Sequence, residues 1–213
     1  MKPWELYRVG QATVRVLADS TRTTEIHAVE EITGRARFRR LLEELRGDEI
    51  LSLRPELCSD QVDYDALRRL PADSLGGRYV RHLDGNGLSA DYQAAATRYV
   101  VDDDVAYLMR RFRQTHDVWH ALVNLGIAGW EEVTIHAFSL GQLHLPVSWM
   151  ILFFGGIKHG VLERRWHALT DVMPRAYRAG RAARPLMPVI WEKMWDEPIA
   201  AVRARYGIEP ILQ

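Results

Sequence analysis

The chain has 213 residues, 47% of them hydrophobic, which is enough apolar material for one substantial domain and shows no sign of a second. Lysine plus arginine (28) equals aspartate plus glutamate (28), so the basic excess needed to track a phosphate backbone is missing and nucleic acid is not an expected partner. Cys58 is the single cysteine, which removes any internal disulfide or CxxC site and fits a reducing compartment.

In chain order, the first ten residues carry Glu5 and Arg8 among apolar ones. They lack both the hydrophobic core of a secretory leader and the Arg- and Ser-rich character of a transit peptide. Pro3 suits the first turn of a helix, and Trp4, Tyr7, Val14 and Leu17 mark its apolar face. Ile26, Val29 and residues 30–33 predict a second, short helix ended by Gly34; a third runs to Leu45 and stops at Gly47. Asp63 caps a short helix from Tyr64 to Leu70, stopped by Pro71. From Pro71 to Gly87 the chain is rich in Gly, Asp and Asn. It reads as a long structured loop with one short helix about Tyr79, the kind of loop that carries or covers a site.

Three acids, Asp102 to Asp104, predict the start of a central helix running to Leu125, with Val105, Met109, Phe112, His116, Trp119 and Val123 as its inward stripe. The next helix spans Glu131 to about Phe154, bent or broken at Pro146. Another covers Val161 to Ala179, and the last two are broken by Pro185, Pro188 and Pro198 and end at Gly207. Strand-like alternation is scarce, so the expectation is an all-α fold, one domain over residues 1–213. The longest apolar stretch, Leu145 to Ile157, holds Pro146 and two glycines and is too short to span a bilayer, which predicts a soluble or peripheral protein.

The chemistry concentrates in the central helix. A helix advances about 100° per residue, so with His116 at zero, His120 falls at about 40° and Asp117 at about 100°, on one flank. Glu132 follows a Gly126-to-Gly129 stop and opens the next helix, which can fold back to face the first. Two histidines with one or two carboxylates form a first shell for a divalent metal, and the residues alone leave it open between zinc, iron and manganese. His136, one turn after Glu132, is either a further donor, a supporting partner or a core histidine. His144, His159 and His167 have no partner pattern and are read as structural or exposed.

Arg110, Arg111 and Arg113 precede the motif. Such runs are usually a solvated face, but Arg113 lies three residues before His116 and is a candidate to hold a substrate carboxylate. Trp149, Met150, Phe153 and Phe154 belong to a segment apolar on every side: a buried core helix, the wall of an apolar tunnel for a substrate tail, or a patch dipped into a membrane with Lys158 and Arg164 near head groups. Two rival chemistries are weak. A zincin peptidase places Glu where Asp117 stands and needs an edge strand. A helical His-Asp phosphohydrolase would have to recruit His82 and Asp171, which the spacing does not support.

The pattern His116-Asp117-x-x-His120, eleven residues, Glu132 resembles the signature of the Coq4 family of ubiquinone biosynthesis proteins. The likeness extends through Leu70-Pro71, Ser74-Leu75-Gly76 and Tyr79, Ala106-Tyr107, Arg111-Phe112-Arg113 and Phe153-Phe154-Gly155-Gly156-Ile157. It continues through Ala176-Tyr177 to Gly180, Trp191-Glu192, and Trp195 to Pro198, running in order from about residue 25 to 209.

The resemblance implies a helical fold with a metal commonly assigned as zinc, held by His116, Asp117, His120 and Glu132. It also implies a place at a membrane surface where polyprenylated ring intermediates are processed, beside other quinone-biosynthesis proteins. The implied reaction removes the C1 carboxyl of a 4-hydroxy-polyprenylbenzoate, with hydroxylation of that carbon in the oxidative version. Asp117 or Glu132 would move the phenolic proton, and Arg113 would hold the acid. His136 lies outside the family pattern, and without an organelle-targeting extension the expected place is the cytoplasm, at the inner face of the membrane, in a bacterial member. A homo-oligomer is left open. The rival reading is a non-catalytic isoprenoid-binding scaffold in which the metal ties two helices together.

Overall fold

The computed structural model describes residues 1–19, 22–91 and 98–212. Ten α-helices follow one another: α1 Pro3–Ala18, α2 Thr23–Glu44, α3 Glu49–Leu53, α4 Tyr64–Arg69, α5 Leu75–Asn86, α6 Asp103–Val123, α7 Gly129–Leu143, α8 Pro146–Gly155, α9 Met173–Ala182 and α10 Ile199–Tyr206. Among the described residues there is no strand, only an isolated antiparallel bridge between Ser74 and Pro198. The all-α expectation is met. No helix of the described residues is long and apolar enough to cross a membrane.

α6 is the axis of the molecule. Asp102 caps it, its carboxylate accepting the amides of Asp104 and Val105 at 3.1 Å each. At its other end, Asn124 turns left-handed at φ 59°, and Arg203 of α10 donates to the freed carbonyls of Leu122 (2.6 Å) and Ala121 (3.2 Å). From Val105 to Val123 only Arg110 and His116 are not fully buried, so α6 is covered on nearly every side and not along one stripe. α2 and α5 pack directly on it. α7 meets it through side chains, Trp119 standing edge-on to Phe138 with ring centres 5.9 Å apart. α7 in turn lies close on α9 because Gly141 and Gly180 face each other's helix: a Cβ on Gly180 would come within 2.2 Å of the Phe138 carbonyl.

Four expectations change. Gly34 does not end a helix; it lies inside α2, where its missing side chain makes room for Phe38 and Leu145, so two predicted helices are one. The supposed loop from Pro71 to Gly87 is the twelve-residue α5, capped by Ser74, whose hydroxyl accepts the Gly77 amide at 3.0 Å, and closed by Gly87 at φ +64°. The helix expected from Val161 to Ala179 is interrupted: α8 runs on as a π-helical segment over Gly156–Leu162, the chain turns at Arg164 (φ +57°), and a second π-turn at Ala168–Val172 leads into α9. Finally, the apolar face marked on α1 lies outward. Trp4, Tyr7 and Val14 are exposed, and the side chain of Leu17 lies outside the described residues. α1 is held instead by buried Glu5, which accepts the Lys2 amide (2.7 Å) and pairs with Arg35, and by Arg8 and Arg15 on Glu25 at 2.5 and 2.8 Å.

Candidate metal centre

His116, Asp117 and His120 share one flank of α6, as their spacing predicts. Their donor atoms all lie within 4.8 Å of one another. His116 Nδ1 stands 3.5 Å from Asp117 Oδ1, and His120 Nε2 stands 3.6 Å from Glu132 Oε1 on the first turn of α7. Glu132 thus sits at the edge of the cluster; its side chain is 40% exposed, whereas His120 is fully buried. His136, one turn along α7, brings its ring centre to 5.6 Å from that of His116. Ser148 lies 3.5 Å from its Nδ1.

α5 contributes what the sequence reading passed over. The ring centre of His82 is 5.1 Å from that of His120, with 24° between the planes. The signal was available: Ser74 is a capping residue, Gly87 a helix stop, and Leu75, Tyr79 and Leu83 recur every four residues. The glycine content of the segment outweighed them. Asp171, the other residue a phosphohydrolase would need, stays at the surface beside His167 (3.7 Å).

The residues present fit a metal ion. Nε2 of His82, Nε2 of His116 and both ring nitrogens of His120 are buried without a hydrogen-bond partner. Each such atom costs about 1–3 kcal/mol unless something satisfies it, and a divalent cation accepts lone pairs from several at once. The charges agree. Burial opposes protonation of His116, yet the carboxylates of Asp117, Glu132 and Glu30 hold its pKa above the ordinary value. Against the opposing effect of burial, His120, His116 and His136 pull Glu132 down to about 2. Burial, reinforced by neighbouring imidazoles, pushes His82 down to about 4 and His136 to about 3, so both rings are neutral at neutral pH.

The remaining arginines are occupied. Arg113 is buried, its Nη2 donating to Glu31 at 2.8 Å and its Nε to Glu30 at 3.4 Å on α2. Glu31 also accepts the amides of Arg98 and Tyr99 at 2.8 and 2.9 Å. The guanidinium is thus paired with two carboxylates of α2 through Nε and Nη2, while its Nη1 is buried without a hydrogen-bond partner. Arg111 is likewise buried, in a two-bond pair with Glu192 at 2.6 and 2.9 Å. Of the three readings open for α8, the buried core helix does not match. Only Val147 and Ser148 are buried in it; Met150 and Phe154 are half-buried, and Trp149 and Phe153 are 62% and 63% exposed. These four residues do not enclose a tunnel.

Residues 5–211 match the family model described as Coenzyme Q (ubiquinone) biosynthesis protein Coq4. The chain belongs to the Coq4 family. It is 30% identical over 207 residues to the human ubiquinone biosynthesis protein COQ4 homolog, mitochondrial, covering 95% of this chain and 77% of that one. The Bos taurus homolog is 32% identical over 202 residues, 92% and 76% of the two chains. The Coprinopsis cinerea protein is 32% identical over 162 residues, and the match spans 55% of its length. A crystal structure from Nostoc punctiforme PCC 73102, of a protein provisionally assigned to ubiquinone biosynthesis, superimposes with a TM-score of 0.70 at 25% identity, covering 94% of this chain and 96% of that one. For this Coq4 protein the family gives the role, in ubiquinone biosynthesis.

Proposed function

We propose that this Coq4 protein is a metal-dependent decarboxylase that removes the C1 carboxyl of a 4-hydroxy-polyprenylbenzoate, with dioxygen-coupled oxygenation of that carbon: one oxygen atom enters at C1, the other leaves as water, and the ring ends at the quinone level, which balances the electrons without a further reductant. The observation that carries the reading is the cluster of buried, partnerless imidazole nitrogens on His116 and His120, set beside two carboxylates of which one is open to solvent. His116, Asp117, His120 and Glu132 would hold the ion, zinc being the preferred candidate and iron or manganese the alternatives. When bound, such an ion supplies Lewis-acid stabilisation of the negative charge that develops on the ring and its oxygens as carbon dioxide leaves.

The chain's own residues divide the remaining work. Glu132, at the exposed edge, is the carboxylate that can take the phenolic proton and exchange it with water; buried Asp117 orients His116. Arg113 with Glu30 and Glu31 fixes the wall behind them. The outward faces of α8 (Trp149, Phe153) and α1 (Trp4, Tyr7, Val14), which touch where Thr13 donates to the Met150 sulfur at 3.4 Å, support a peripheral seat on a membrane, where a polyprenyl tail resides. Ile157, Leu162 and Trp166 are exposed as well. The extent of this exposed apolar surface favours one second reading, a non-catalytic isoprenoid-binding scaffold that presents intermediates to other quinone-biosynthesis enzymes.

The test is incubation of purified, metal-analysed protein with a 4-hydroxy-3-prenylbenzoate in detergent, with and without oxygen, followed by mass spectrometry. Metal-dependent loss of the carboxyl is expected, with oxygen incorporated under air. Intact substrate co-purifying with metal-loaded protein refutes the enzyme in favour of the scaffold. Asp117→Asn separates the two further, since activity lost with metal retained indicates chemistry.

A further inference from the structure

The metal reading above uses donors from α6 and α7 and leaves a third element unexplained. His82 projects from α5 against His120, and its Nε2 is buried with no partner. An apolar side chain would fill that place without stranding a polar atom. We propose that His82 is a third imidazole donor of the same metal centre, an inference that rests on the metal reading of the preceding subsection.

Ring spacing carries it; among the described residues the donor atoms within 4.8 Å of one another are those of His116, Asp117 and His120, and His82 joins them by turning its ring. When two imidazoles share one ion, each nitrogen about 2.0–2.1 Å away, their ring centres lie about 4.5–5.2 Å apart for bond angles between a right angle and a tetrahedral one. His116 and His120 stand at 4.7 Å, and His82 and His120 at 5.1 Å. Both pairs fall within the interval, with His120 common to them. His116 and His136 at 5.6 Å fall outside it, and His136 has Ser148 against its Nδ1, so His136 is a neighbour of the centre and not a donor.

The helix that carries His82 is fixed rather than adjustable. Its first amides, Leu75 and Gly76, donate to the carbonyls of Glu197 and Trp195 at 2.8 and 2.9 Å, and Tyr79 stacks on Trp195 with 5.5 Å between ring centres and 7° between planes. His82 lies three residues beyond Tyr79 on the same helix. The donor set this gives, three imidazoles with Asp117 and Glu132, selects borderline divalent transition ions such as zinc, cobalt(II) or iron(II). It discriminates against magnesium and calcium, which take oxygen shells.

The experiment uses the full chain, stripped with a chelator and titrated with zinc against a chromophoric competitor, and separately with cobalt(II) followed by visible absorption. His82→Gln and His82→Phe are compared with the wild type and with the surface control His167→Gln. Zinc affinity is expected to fall at least about 10-fold in the His82 variants, the low end of the loss seen when an outer-shell partner is removed, and the cobalt band to change. The control should stay within about 2-fold of wild type on the same scale.

Equal affinity and an unchanged cobalt spectrum in a folded His82 variant overturn the inference and leave the metal reading standing. A wild-type chain that binds no ion overturns both. If neither variant folds, anomalous-difference density from zinc-soaked wild-type crystals decides. A peak about 2.0–2.3 Å from a His82 nitrogen supports the assignment, and a peak held by His116 and His120 without His82 refutes it.

Discussion

Replacing Arg113 by methionine keeps the bulk of the side chain and withdraws the cation that Glu30 and Glu31 share. The three side chains are 2%, 4% and 3% exposed, so water cannot take the cation's place. Deleting one partner of such a buried pair costs about 3–5 kcal/mol, because the other partner is left as an uncompensated charge. Part of that cost can be relieved by protonation. Burial already raises the pKa of Glu30, and Arg113 is the group that pulls it back. A carboxyl whose folded pKa lies above its unfolded value of 4.5 loses stability as pH rises from the unfolded value through the folded one. Without Arg113 the folded value climbs further, and the window of loss extends upward. Urea unfolding followed by circular dichroism should therefore show a destabilisation near the lower end of about 3–5 kcal/mol at acidic pH and near the upper end at alkaline pH. A loss below about 1 kcal/mol, flat with pH, would refute the argument. A variant of unchanged stability with a raised KM would return Arg113 to the substrate.

Four other outcomes are expected. His27 on α2 is held at about 3, first by burial and then by the charges of Arg113 and His116. A depressed histidine stabilises fully above its unfolded value of 6.5 and loses that contribution as pH falls toward 3, so His27→Leu should remove about 1–2 kcal/mol of acid sensitivity between pH 7 and 5, read from thermal melts. Zinc at a thousand times its Kd should stabilise by about 4 kcal/mol and raise Tm by about 8–16 °C; a chelator should reverse the shift and His120→Ala abolish it. Gly180→Ala must push α9 away from the Phe138 carbonyl, and a loss of about 1–3 kcal/mol in denaturant unfolding is expected; a neutral variant would mean the crossing is looser than it looks. Trp149→Ser with Phe153→Ser should weaken co-sedimentation with anionic vesicles while leaving the melting curve unchanged, since both side chains are exposed; undiminished co-sedimentation would remove α8 from the membrane contact.

Where helix signals are local, the sequence reading and the structure agree. Asp63 accepts the Ala66 amide at 2.8 Å as a cap, Asp102 caps α6, Pro146 opens α8 and Gly207 closes α10 at φ +66°. The reading failed where composition was weighed against neighbours it could not see. Gly34 looked like a stop because a glycine weakens an isolated helix, but Phe38 and Leu145 fill the space beside it. Trp4, Tyr7 and Val14 looked like a core face, but Glu5, Ala12 and the Arg8–Glu25 pair occupy the inward side of α1.

By itself the sequence determined the helical class, the family and the grouping of His116, Asp117 and His120 on one flank of α6. All of these depend on spacing along one chain segment, and the 3.6-residue turn converts spacing directly into direction. Tertiary structure decided what depends on segments far apart in the chain. It placed His82 against His120 across 38 positions, at a ring-centre distance of 5.1 Å, because α5 is anchored to the carbonyls of Trp195 and Glu197 and stacked through Tyr79 on Trp195. It also set Glu30 and Glu31 of α2 beside Arg113, and it turned α8 outward, since whether an apolar helix is covered depends on what packs over it.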